Sequence, residues 1–134
     1  LRCDVAVSYQ QKAEVFLDQE TFVNEIRARV RDSAVDSTIR VLTQPPGRSP
    51  KKDLLELSGW FKQLAPDDRE NVERLIKRVA NITVFGFLCV LHGVRVIKEG
   101  SEVGDFELKF RCGGIETALN GEPLNMLHDI FNSE

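Results

Sequence analysis

Long apolar runs are missing from this chain. The longest spans residues 84–91 with Gly86 counted as neutral, far short of the roughly 20 residues a bilayer-spanning helix needs, so no membrane association is expected. Basic excess is missing as well. With 18 Lys and Arg against 21 Asp and Glu, the formal net charge of -3 supplies no field for a nucleic-acid backbone. Cysteine is scarce: Cys3, Cys89 and Cys112 are an odd number at wide spacing, which is not a disulfide framework and fits a reducing, cytoplasmic setting. The single methionine is Met126, so Leu1 is not an ordinary translation start, and the first residues carry neither the charged start nor the long apolar centre of a secretory signal. A phosphate-cradling glycine loop is absent too, because Gly86, Gly93, Gly100 and Gly104 stand alone. Nucleotide binding has no support, and no cofactor is expected.

What is present is enough core for one domain: 134 residues, 42% of them hydrophobic. Residues 1–17 are expected as an N-terminal extension that the sequence assigns neither to helix nor to coil, followed by a single domain over 18–134. Asp18 is placed to cap a first helix, with Leu17 and Phe22 at the spacing of a hydrophobic staple. Phe22, Ile26, Val30, Ala34, Thr38 and Val41 recur at helical intervals until Pro45-Pro46-Gly47. Ser49-Pro50 reads as the cap and first position of a second helix with the stripe Leu54, Leu57, Phe61 and Leu64, ending before Pro66. Pro66-Asp67-Asp68 opens a third, long helix, its acids where the helix dipole favours them. Its second half, 84–91, is apolar all round and is expected to be covered all round, with Gly93 as the left-handed residue past its end.

After Gly93 the period changes from three or four to two. Residues 94–98 are expected as a first strand. Phe106, Leu108 and Phe110 alternate with Glu107, Lys109 and Arg111 in a second, and Gly113-Gly114 turns the chain into a third over 115–119. Leu124, Leu127 and Phe131 suit a short last helix. The expected architecture is α+β: three N-terminal helices with a long buried central one, a three-stranded antiparallel meander, and a short C-terminal helix.

Chemistry-bearing residues are few. Cys89 and His92 are three apart and share a helix face, which suits two metal ligands or a thiol with its base. Cys112 and His128 or Asp129 would have to complete such a set, at no spacing that metal sites use. Burial explains Cys89 and the helix dipole explains His92 without chemistry. His128 and Asp129 are adjacent on a helix and point about 100 degrees apart, which disfavours a dyad. Ser49-Pro50-Lys51-Lys52 has the form of a phosphorylation site, but a helix start accounts for it. The sequon Asn81-Ile82-Thr83 falls inside a helix and is set aside.

The run Val84-Phe85-Gly86-Phe87-Leu88-Cys89-Val90-Leu91-His92-Gly93-Val94-Arg95, with Phe106-Glu107-Leu108-Lys109 and the ending Leu127-His128-Asp129-Ile130-Phe131-Asn132, resembles a group of small, stand-alone bacterial proteins of unknown function. The resemblance covers about 18–134 and implies no activity. That group more often carries aspartate at the position of His92, which weakens a ligand role for it. By size and acidity alone the chain is also similar to the immunity partners of polymorphic toxins. The expectation is a non-catalytic module that binds another protein, with homo-oligomerisation open. The wet hairpin face of Glu107, Lys109 and Glu116 is its candidate surface. The alternative is a small enzyme or metal-binding protein using Cys89 and His92 with Cys112 and His128.

Overall fold

The computed structural model describes residues 17–98, 100 and 104–133. The expectations for Cys3 and the rest of 1–16 lie outside the described residues. In order come α1 (Gln19–Ile26), a π-helical segment (Arg27–Asp32), α2 (Ser33–Thr43), α3 (Lys52–Gln63), α4 (Pro66–Leu91), β1 (Lys109–Cys112), β2 (Ile115–Ala118) and α5 (Leu127–Asn132). The molecule is α+β. Its contacts divide it into two compact units, the first from 17–24 with 88–133 and the second from 25–87.

The second unit is helical. Asp36 and Arg40 are exposed on α2, whereas Val35 and Leu42 are buried, as are Ser58 and Phe61 of α3, and these two helices pack on each other. The inward stripe differs from the expected one. Val30, Ala34 and Thr38 face water, and Arg31, Val35, Ile39 and Leu42 turn inward. The π-helical segment is the reason. In an α-helix a step of four residues overshoots a full turn by roughly 40 degrees, and the wider π turn takes up that excess. Residues four apart then stay on one side, which passes the inward role from Val30 to Arg31.

On α3 the buried positions are Ser58 and Phe61, and Leu57 is exposed, so the predicted stripe is rotated. The helix begins at Lys52, with extended Lys51 before it and no side-chain cap, so Ser49 does not cap it. Leu64 is extended, and Pro66 restarts the chain with Asp67 and Asp68 in the first turn of α4. The junction is closed by Arg69. Its Nη2 donates to the carbonyls of Lys62 (3.1 Å) and Leu64 (3.2 Å), and its guanidinium lies 5.7 Å from the Phe61 ring centroid. A cation thus meets the orphan carbonyls at the end of α3.

The expected all-round cover of 84–91 is not found. Gly86, Leu88 and Cys89 are buried, Phe85 and Leu91 are half-buried, and Phe87 is 62% exposed. Apolar residues on every side do not guarantee enough partners for every side. Leu75, Val79 and Ile82 on the same helix also face water.

In the first unit Asp18 caps α1: its Oδ1 accepts the Thr21 N–H at 2.7 Å, and that bond holds its carboxyl below the ordinary range. Helix α4 ends as its sequence implies. Gly93 has φ +68, its N–H donates to the Val90 carbonyl, and the Val94 N–H reaches back to Cys89, which is the Schellman arrangement. The expected first strand is absent among the described residues, and 94–98 run exposed without ladder partners. The reason lies in that helix end. Both Val94 and Arg95 give their N–H groups to the Cys89 carbonyl, and a committed donor cannot enter a ladder. The sheet is therefore a two-stranded hairpin. Gly113 (φ +57) and Gly114 (φ +76) form the two-residue turn, pairing Arg111 with Glu116 and Lys109 with Ala118. Buried Val23, Leu88, Cys89, Leu119, Leu127 and Phe131 make this unit's core. Leu124 lies outside α5 and is exposed, contrary to its expected place on the last helix.

Candidate functional site

The first unit gathers its polar residues where α4 ends and the hairpin begins. Asn120 is the organiser. It is buried, its Nδ2 donates to the carbonyls of Leu91 and Phe106, and its Oδ1 accepts the Leu108 N–H, each at 2.7 Å. One amide side chain thereby ties the helix end to the strand approach. Gln19 plays a similar part, donating to the carbonyls of Leu119 (2.9 Å) and Asn125 (2.7 Å). Periodicity announces neither residue, because both satisfy irregular backbone that no pattern foretells. A depression of about 580 Å³ lies here, lined by His92, Phe106, Leu108, Asn120 and Met126 among others.

Along the hairpin the expected face of Glu107, Lys109 and Glu116 is brought together as a chain of ion pairs. Lys109 Nζ lies 3.0 Å from Glu107 Oε2 and 3.4 Å from Glu116 Oε1. Arg111, on the same alternating side of its strand but not part of the expected binding face, donates from Nε to Glu116 Oε2 at 2.6 Å. Its place opposite Glu116 follows from the two-residue turn, so the signal was there. These pairs raise the pKa of Lys109, mainly through Glu107, and lower that of Glu116, mainly through Arg111. The opposite face is a weaker anchor than expected: Leu108 and Phe110 are half-buried, and Phe106 is 46% exposed.

The other candidate set does not assemble. Cys89 is buried and Cys112 is exposed beside the hairpin turn. His92 and His128 do meet, edge to face, with ring centroids 5.8 Å apart. His92 Nε2 accepts the Leu127 N–H at 3.0 Å, and burial followed by the proximity of His128 lowers its pKa, against an opposing pull from Asp129. His128 is itself buried, with Nε2 3.6 Å from Asp129 Oδ1. Among the described residues no three His, Cys, Asp or Glu side chains form a group that could hold a metal ion.

A second concavity in this unit is apolar. Val90, Val96, Ile97 and Phe106 line a groove of about 280 Å³, together with Arg95 and Lys98. Ile97 is 66% exposed, and Val94 and Val96 are more than half exposed. The alternation that suggested a strand in 94–98 here places branched apolar side chains in water. In the second unit Arg31, Asp32, Val35, Lys77, Arg78 and Asn81 line a separate depression of about 570 Å³.

The fold is that of a small α+β chain. In comparisons with known proteins, no protein-family model, curated protein or solved structure matches it.

Proposed function

We propose that this chain is a non-catalytic module that binds another protein in the cytoplasm, in the manner of an immunity or regulatory protein. The observation that carries the reading is the apolar groove of Val90, Val96, Ile97 and Phe106, open to solvent. Contiguous exposed apolar side chains mark contact surfaces, and the half-exposed valine and isoleucine here gain from being covered. The hairpin charges lie beside it, because Phe106 lines this groove and also the depression that reaches Glu107 and Lys109. An apolar patch with a charged rim is the usual anatomy of a protein interface, the rim setting approach and register. Because Lys109, Arg111, Glu107 and Glu116 already pair with one another, they add selectivity more than affinity. The partner is a protein with an apolar projection flanked by charge.

The experiment is capture from the native host with the purified chain, followed by the variants Ile97→Asp and Glu107→Lys/Glu116→Lys. The reading expects one protein to be retained by the native chain, lost with Ile97→Asp and weakened by the double reversal, while circular dichroism stays unchanged. Retention of the same protein by both variants at full yield overturns it. Size-exclusion chromatography of the native chain separates a second copy from a foreign partner.

A further inference from the structure

His92 stands just past the last residue of α4, and its Nε2 accepts the N–H of Leu127 at 3.0 Å. That amide opens α5, and the first N–H groups of a helix have no carbonyl of their own helix to meet. The imidazole therefore does for α5 what a capping side chain does elsewhere. It does so through a lone pair on Nε2, which places the ring proton on Nδ1, and an imidazolium has no lone pair to offer. The contact belongs to neutral His92 alone.

The surroundings make the charged form costly. From α5, His128 presents its ring 5.8 Å away, and Asp129 follows it as the compensating charge. Cys89, buried on α4, is the titratable residue of that helix nearest to His92 in sequence. Across the shared depression stand Asp105, Glu107, Lys109 and Glu122. Of these, Glu107 is engaged by Lys109.

We propose that His92 is a pH-operated latch on the C-terminal helix: neutral, it holds Leu127 and α5 in place; protonated at Nε2, it releases them while the hairpin stays folded. Leu127 and Phe131 are almost fully buried, so release turns an internal apolar face outward. The direction follows from linkage. His92 has its pKa lowered from the ordinary 6.5 when the latch is closed, so the released form binds the proton more tightly. The latch is fully closed above about pH 6.5, weakens as pH falls below it, and stops weakening once pH passes the lowered value of the closed form.

Amide hydrogen exchange of the full chain, followed by NMR from pH 8 to pH 5 and corrected for intrinsic rates, tests this. Protection of Leu127 and the α5 amides should fall as pH drops below about 6.5, by at most about tenfold per pH unit, and level off past the lowered value of the closed form, while the amides of β1 and β2 keep theirs. In His92→Gln, whose side-chain oxygen can accept the same N–H without titrating, α5 protection should be flat with pH. Three results overturn the proposal: flat protection of Leu127 in the native chain, simultaneous loss in the hairpin, or an unchanged pH slope in His92→Gln. Should that variant fail to fold, the ring-nitrogen shifts of His92 in the native chain decide. A titration at or above 6.5 in the folded protein overturns the latch, and one below it, in step with loss of Leu127 protection, supports it.

Discussion

The two units are held together by opposite means. Residues 25–87 are nearly all helix, so the backbone satisfies itself, and what remains to be joined is apolar: Val35 and Leu42 against the helix that carries Phe61. Among the described residues of 88–133 there are, past the end of α4, a short hairpin and a short helix, and the irregular backbone between them needs outside partners. Asn120, Gln19 and His92 supply them, taking up groups of Leu91, Phe106, Leu108, Leu119, Asn125 and Leu127. Where secondary structure is sparse, polar side chains become core residues. A buried backbone group without a partner costs more than a hydrogen bond gains, which is why the amide of Asn120 is as structural as any leucine.

That contrast can be broken experimentally. The largest effect is expected at Phe61→Ala, which should cost about 3–5 kcal/mol in urea unfolding, as a lost aromatic ring in a helix contact does. Asn120→Ala comes next. It removes little apolar area, yet should cost about 2–3 kcal/mol because the Leu108 N–H loses its acceptor and two carbonyls lose their donor. A cost near that of an exposed surface site, under about 0.5 kcal/mol, would mean that water replaces the side chain and the contrast is false.

Gly114→Val sharpens it. With φ at +76 a β-branched residue is strained, and the variant should lose about 1–2 kcal/mol, more than a valine introduced at an exposed site of α3. The smallest effects concern the helix starts. Asp18→Ala should cost about 1 kcal/mol, whereas Ser49→Ala, which removes no cap, should leave the urea midpoint unmoved. Asp18 has its carboxyl pKa lowered from 3.8 in the folded chain, so its contribution is present above that pH and disappears as pH falls through the lowered value. The gap between native and Asp18→Ala should close in acid. A gap that persists there would assign the effect to packing rather than to the cap.

The same contrast explains what could be read in advance. The Asp18 cap, the Gly93 helix end, the restart at Pro66 and the Gly113-Gly114 turn were legible because each depends on one backbone angle or on a bond to a near neighbour. Less local features were not. The alternation in 94–98 is real, but Val94 and Arg95 spend their amides on the Cys89 carbonyl at the helix end, which withdraws them from any ladder. The rotated stripes on α2 and α3 escaped because a periodicity count assumes one pitch throughout. At the site, charge alternation placed Glu107, Lys109 and Arg111 on one side of their strand, while Glu116, on the other strand, meets them only through the register. Cys89 and His92 had the right spacing for a shared task. The fold separated them by burying the thiol and turning the imidazole toward Leu127.

The widened turn at Arg27–Asp32 gives the second unit something like a reading frame. In an ordinary helix the direction of every later side chain is fixed by how many residues precede it, so an extra residue rotates all that follow by about 100 degrees. A π turn absorbs that extra residue locally. Val35 and Leu42 owe their inward direction to the number of residues between Ile26 and Ser33 rather than to which residues these are. A one-residue deletion within the turn that lets it rewind as α-helix would restore the frame downstream. The same deletion placed within α2, between Val35 and Leu42, would shift it.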